Sequence, residues 1–429
     1  MPSILILSRL LSKTTGFVWP ESGTGDEHEP LSPQCRMMDL PRLRLKRHED
    51  RRLHRGHLWV FSNEVDTEAT PLKAFAPGDL AAIEDSTGRP LGIGYVNPNA
   101  LICARLLGRT PDEPIDLNFW RKRLAAALRW RERLFSTPFY RLVHSEGDYL
   151  PGLVIDRFAQ VCVIQCNTAG IEHQLDKILD ALYGLIRPKA IVLRNDSPSR
   201  ALEGLPQHVE VRGELPEIVT VEEEGLSFQI DPLTGQKTGW FYDQRQNRAL
   251  AASLASDLNV LDLFCYTGAW AIQAAACGAK RVVAVDSSAA ALALAQENAR
   301  RNRVADKVQF IQADVLEFLK QAKQGRERFD LIVCDPPAFI KRRKDIAKGI
   351  KGYRNLNRLA LACLARPGIL VSCSCSYHLS ANQLQALIAR TAAAYNLALF
   401  AQGHQGPDHP IHPAIPETAY LKAQFYRAS

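Results

Sequence analysis

The sequence predicts an α/β protein, with a mostly parallel, doubly wound sheet in its C-terminal half preceded by an α+β segment and a small β-rich one. Three observations predict it. From residue 257 onward, apolar β-runs alternate with helical periods, the rhythm of parallel strands joined by crossover helices. Three successive β-runs end in aspartates, Asp262, Asp286 and Asp314, where doubly wound sheets hold their ligands. Upstream, residues 41–110 break into short β-forming runs punctuated by Gly78, Gly88, Gly92 and Gly94, as in a small barrel or sheet.

Length and composition agree with several folded domains. The chain has 429 residues, 46% hydrophobic and 23% charged, too long for one ordinary core and not disordered in character. Its 53 Lys and Arg against 46 Asp and Glu lean toward a polyanionic partner. The apolar run near the N-terminus, "ILIL", is far short of the roughly 20 residues of a membrane span. It also lacks the flanks of a signal peptide. Residues 1–40 are therefore read as a flexible extension, with Met37 or Met38 as an alternative start. The ten cysteines are scattered, with no C-x-x-C pair. That disfavours a disulfide framework and a zinc ribbon, and fits a reducing cytoplasmic setting without a bound metal.

Taken in order, residues 41–112 form the β-rich unit, whose leading stretch "RLRLKRHEDRRLHRGH" is densely basic and suited to phosphates. Residues 116–135 repeat apolar positions at helical spacing, with Phe119, Leu124, Ala127, Leu128 and Leu134 on one side. Strands follow, then one helix over "IEHQLDKILDALYGLI" and more strands, giving an α+β unit at 113–230. The doubly wound unit takes 231–429, including a basic helix at about 346–366.

The loop after its first strand, "LDLFCYTGAWA", has a single Gly268 in place of G-x-G-x-x-G. Close approach of a dinucleotide pyrophosphate needs those glycines, so a cofactor without phosphates fits better. Asp286, 24 residues after Asp262, can accept from ribose hydroxyls, and Asp314 from an adenine amino group. Alone, each is more readily an ordinary strand-end or helix-capping residue; together they point to an adenosyl ligand. In "CDPPAF" two prolines stiffen the exit of the fourth strand and hold Asp335 toward a substrate edge. The fifth strand delivers Cys373 and Cys375 beside it, with packing and nucleophilic roles both open on spacing alone.

The motifs "VLDLFCYTGAW", "VVAVD", "QAD", "DPPAF" and "SCSCS" resemble motifs I, II, III, IV and VI of class I S-adenosylmethionine methyltransferases. The likeness is specifically to bacterial large-subunit ribosomal RNA cytosine-C5 methyltransferases, with a Rossmann-like catalytic domain. The β-rich unit resembles an RNA-binding PUA domain, and "GQKTGWFYDQRQNR" the segment preceding motif I. The resemblance implies S-adenosylmethionine as cofactor, contacted by Arg245, Asp262, Phe264, Gly268, Asp286 and Asp314. It also implies Cys375 as nucleophile, Cys373 as packing, and Asp335 on the cytosine edge. The implied partner is 23S ribosomal RNA, met by Arg51, Arg52, Lys341, Arg342, Arg343 and Lys344, with no membrane or metal and with a homodimer admissible. One departure stands out: Ala338 follows Pro337, where two-cysteine RNA enzymes carry a second cysteine. That leaves His378 or a water as the base for the C5 proton. The alternatives are methylation of a purine nitrogen and a non-catalytic, RNA-binding assembly factor.

Overall fold

The computed structural model describes residues 40–110, 113–392 and 395–429. The expected extension up to residue 39, with its alternative start, lies outside the described residues, as do 111–112 at the expected first domain boundary. Among the described residues no helix is long and apolar enough to cross a membrane.

The first sheet comprises β1 (Arg42–Arg44), β2 (Trp59–Phe61), β3 (Leu80–Glu84), β4 (Pro90–Val96) and β5 (Ile102–Gly108), in the order β1-β3-β4-β5-β2. A short helix α1 (Arg51–His54) interrupts it. At Gly94 a Cβ would stand 2.3 Å from the Arg105 carbonyl oxygen, so only glycine lets β4 and β5 approach this closely. The core of Leu43, Val60, Ile83 and Leu106 also takes in Ile415, from near the far end of the chain.

α2 (Leu117–Leu134) begins where the Asp116 side chain accepts from Phe119 N at 2.8 Å, an N-cap. Phe119, Leu124, Ala127 and Leu128 are buried as the spacing predicts, whereas Leu134, in the last turn, is 46% exposed beyond the core. The second sheet runs β10-β9-β8-β7-β6. Its strands are β6 (Phe139–His144), β7 (Leu153–Phe158), β8 (Val161–Cys166), β9 (Ala190–Asn195) and β10 (His208–Gly213). The single helix expected between β8 and β9 is two, α3 (Ala169–His173) and α4 (Leu175–Ile186), because Gln174 leaves helical geometry at ψ 4°. α5 (Pro198–Leu202) and the hairpin β11 (Val219–Glu223) and β12 (Leu226–Ile230) lead onward.

After α6 (Arg245–Ser253) comes the third sheet, with strands β13 (Asn259–Leu263), β14 (Arg281–Asp286), β15 (Val308–Gln312), β16 (Phe329–Cys334), β17 (Leu364–Ser374), β18 (Ala398–Gly403) and β19 (Lys422–Ala428). Its order is β15-β14-β13-β16-β17-β19-β18, parallel except where β19 pairs with β17 and β18. Helices α7 (Ala269–Ala276), α8 (Ala289–Arg301), α9 (Val315–Gln324), α10 (Ile346–Cys363) and α11 (Ala381–Thr391) connect the strands. Successive strand residues point to opposite faces. Val260, Val282, Leu331 and Val371 pack with α7, α8 and the second sheet. Leu261, Val283, Ile332 and Leu370 pack with α9, α10 and α11. The basic helix stops at Cys363 because Leu364 already pairs with Phe329 in the ladder. Chain order reverses between β13 and β16, so a crevice opens at their carboxyl ends.

Candidate active site

One wall of the crevice is the loop from β13 to α7. Phe264 and Tyr266 adopt left-handed backbone at φ 66° and 48°, a conformation that costs of order 1–3 kcal/mol per residue and is held only by surrounding contacts. Those contacts are visible: Phe264 N and Cys265 N both donate to the Val285 carbonyl, at 2.9 and 3.1 Å, and Tyr266 N donates to Asp286 Oδ2 at 2.9 Å. Gly268 caps α7 at φ 83°, and a Cβ there would press on Ile272 and Ala295 at 3.1 and 3.2 Å. Asp262 is fully buried; Oδ2 accepts from Ala271 N at 3.1 Å, while Oδ1 has no partner. An orphaned buried carboxylate oxygen is costly in a finished structure, so its place beside this cradle fits a bound polar ligand.

Asp286 is half-buried at the end of β14 and also accepts from Ser288 N at 2.9 Å. Asp314 caps α9, accepting from Leu316 N and Glu317 N at 2.9 and 3.1 Å, and is exposed at the end of β15. Arg245 shares no partner with these groups. As the first residue of α6 it turns toward the second sheet, where it donates to the Phe139 carbonyl and to Glu223 at 3.4 Å and lies 4.6 Å over the Phe135 ring. There it lines a separate surface cleft of about 930 Å³ with Leu134 and Gln246.

Burial, then the nearby Asp335, pushes the Asp262 carboxyl up to about 8 from an ordinary value of 3.8. A raised carboxyl stabilises the fold below its unfolded value, and the benefit is lost as pH climbs through the folded one. In the cofactor-free protein, Asp262→Asn is expected to raise the melting temperature at pH 8, with the gain shrinking toward pH 4. Thermal melts at the two pH values test this; an equal gain at both would show that ionisation is not the cost.

The opposite wall comes from β16 and β17. Asp335 accepts from Gln244 Nε2 at 2.9 Å on Oδ1 and from Trp270 Nε1 at 3.1 Å on Oδ2. Burial lifts its carboxyl to about 6. Beyond β17 the chain is pinned at two serines: Ser374 Oγ donates to Tyr353 Oη at 2.9 Å, and Ser376 Oγ lies 2.9 Å from the same hydroxyl. Ile340 N further donates to Ser376 Oγ at 3.1 Å. Cys375, between the two anchored serines, is half-buried, whereas Cys373 is 1% exposed within the core. Cys334 packs in the core on the other face of the sheet.

Burial pushes the Cys375 thiol up to about 11, the Lys237 ammonium pulls it back, and Asp335 and Asp243 oppose that pull. Lys237 Nζ sits 2.6 Å from Asp243 Oδ2 and 4.2 Å from the centroid of the Phe241 ring. Tyr420 Oη donates to the same carboxylate oxygen at 2.6 Å. Sequence patterning did not single out Lys237, Gln244, Trp270, Tyr353, Tyr420 or Lys422. His378 is half-buried, edge-on to the Tyr377 ring at 5.1 Å.

Of the basic residues expected to face RNA, Arg51, Lys341, Arg342, Arg343 and Lys344 are exposed. Arg52 is not free in this way. α1 lays it against the first sheet, where it pairs with Glu64 at 2.6 Å and lies 4.8 Å over the Phe61 ring.

A seven-stranded sheet in this order, with a one-glycine loop and acids at successive strand ends, is the frame of a methyltransferase that draws on an adenosyl cofactor. A family model described as S-adenosylmethionine-dependent methyltransferase matches residues 198–427, and a PUA-like domain model matches 43–109. The chain belongs to this S-adenosylmethionine-dependent methyltransferase family, and S-adenosylmethionine is its cofactor. It is 36% identical over 389 residues to the Ribosomal RNA large subunit methyltransferase I of Serratia proteamaculans, covering 89% of this chain and 98% of the relative. The protein of the same name from Shewanella denitrificans is 37% identical over 391 residues, with the same coverage of both chains. In fold it is similar to a SAM-dependent methyltransferase from Streptococcus mutans, with TM-score 0.76 and 20% identity over 90% of this chain and all of that one. A methyltransferase crystallised with SAH gives 0.77 at 21% identity with the same coverage.

Proposed function

We propose that this protein methylates C5 of a cytosine in large-subunit ribosomal RNA through a covalent adduct on Cys375. One observation carries the reading: a half-buried thiol, fixed between two anchored serines, at the same crevice mouth as an acid whose carboxyl is raised to about 6. The relatives' name and the PUA-like domain support ribosomal RNA as substrate.

Cytosine C5 is a weak nucleophile. Addition of the Cys375 thiolate to C6 forms the Sγ–C6 bond and moves an electron pair through C5 and C4 to N3, leaving C5 enamine-like. Asp335, protonated at or below about pH 6, is suited to give N3 the proton that this charge demands. S-adenosylmethionine, when bound, supplies the methyl group as an electrophile. As C5 takes the methyl group, C4 and N3 regain their double bond and N3 returns its proton to Asp335; release then passes the C5 proton to a base, and that electron pair restores the C5–C6 double bond as the thiolate departs. The target base has to leave its stack to reach a thiol set this far into the crevice. The exposed run Lys341–Lys344, just beyond Asp335, is suited to the flanking phosphates.

The deciding experiment incubates the protein with methyl-labelled S-adenosylmethionine and ribosomal RNA from cells lacking it, then identifies the labelled nucleoside by mass spectrometry. Label in 5-methylcytidine is expected; label in a methylated purine overturns the thiolate chemistry. Asp286 has the role of ribose acceptor in this reading. Asp286→Ala is expected to weaken cofactor binding by about 1.5–3 kcal/mol, the range for hydrogen bonds to a charged group. Calorimetry showing unchanged affinity would move the ribose contact elsewhere.

A further inference from the structure

Lys422 lies in β19 directly across the ladder from Ser374, the residue before Cys375. Its Nζ donates to the Ser376 carbonyl at 2.6 Å and to the Tyr420 carbonyl at 2.8 Å. The ammonium is thus fastened to the residue that follows the cysteine. Two of its three N–H groups are used, both on neutral carbonyls. Among the described residues no carboxylate pairs with it, while the neighbouring Lys237 is matched by Asp243. A half-buried cation without a counter-ion is costly to keep.

The titratable groups that interact electrostatically with the thiol come from five segments. Lys237 and Asp243 precede α6, Asp335 follows β16, Cys373 lies near the end of β17, Tyr353 is on α10, and Tyr420 and Lys422 come from just before and at the start of β19. Lys237 and Asp243 neutralise each other at 2.6 Å, while Asp335 is held by Gln244 and Trp270. Among the described residues Lys422 is then the cation of this cluster to which no carboxylate is bonded. Burial lowers its ammonium to about 8, and the charge of Cys375 is the influence that raises it.

We propose that Lys422 is the counter-cation of the Cys375 thiolate, a positioning residue that sets how much nucleophile is present at neutral pH. This rests on Cys375 being the nucleophile, but its test does not pass through RNA. The intact protein is alkylated with iodoacetamide between pH 6 and pH 10, and modification at Cys375 is resolved from the other cysteines by peptide mass spectrometry. In Lys422→Met, modification at pH 7, where the parent amine still carries its charge, is expected to slow by about tenfold, the equivalent of about one unit in the thiol. Lys422→Arg keeps the charge and is expected to stay within about twofold of the parent. S-adenosylmethionine binding reports folding, and Lys422→Gln takes the place of the methionine variant if that one fails it. An unchanged rate at pH 7 without the amine overturns the proposal, as does an arginine variant that falls as far as methionine, which marks a packing role. Should Cys375→Ala still form 5-methylcytidine, the nucleophile reading fails on its own, whatever the alkylation profiles show.

Discussion

Cys375→Ala is expected to abolish methyl transfer, by at least about a thousandfold, while cofactor affinity stays within about twofold. The size follows from the chemistry: without addition to C6, the C5 carbon has no electron pair to offer, and loss of a covalent nucleophile leaves only what binding and orientation can do. Among the described residues no other thiol is placed to substitute. Cys373 is 1% exposed, and Cys334 packs on the opposite face of the sheet. Nor should the change disturb the fold, since Ser374 and Ser376, not the cysteine, make the bonds to Tyr353 that fix the segment. The proposed cofactor residues Asp262, Gly268 and Asp286 belong to other elements. Label transfer to ribosomal RNA and calorimetry with S-adenosylmethionine check the two halves separately. Parental activity in the variant would return the cysteine to a packing role.

The parts of this site legible in the sequence are those carried by strand ends. A β-run that stops at an aspartate places that side chain at the crevice whatever else the protein does, so Asp262, Asp286 and Asp335 could be found from alternation alone. The illegible parts come from pairings between distant segments. Lys422 matters only because β19 runs antiparallel beside β17, and an alternating sequence cannot announce which strand it will join. Trp270 looks like an ordinary buried helical residue until its indole N–H is found on Asp335. Tyr353 reads as one apolar position of a basic helix, yet its hydroxyl anchors both serines around the cysteine. Charge runs mislead in the other direction: Arg51 and Arg52 are adjacent and alike, and only the fold reveals that one is exposed while the other pairs with Glu64.

Asp335→Asn is expected to slow transfer by about a hundredfold to ten-thousandfold, the usual yield of a positioned general acid, and to change the shape of the pH profile. The asparagine keeps one acceptor oxygen, for the Trp270 indole N–H, while its NH2 meets the Gln244 amide as donor against donor unless that amide turns over, and it cannot give N3 a proton. In the parent, the reactive form needs Asp335 protonated and Cys375 ionised, while their carboxyl and thiol stand near about 6 and about 11. Below pH 6 the acid is already protonated, so the single-turnover rate rises tenfold per unit with the thiolate. Above it each unit multiplies thiolate by about ten and divides protonated Asp335 by about ten, and the rate is flat. The asparagine variant has only the thiolate to follow, so its rate keeps climbing about tenfold per unit through pH 7 to 9. Single-turnover methylation across that range separates the two roles open to this carboxylate. A parent profile that climbs alongside the variant's would mean that Asp335 acts as an ionised acceptor for the cytosine amino group, and that the proton on N3 comes from elsewhere.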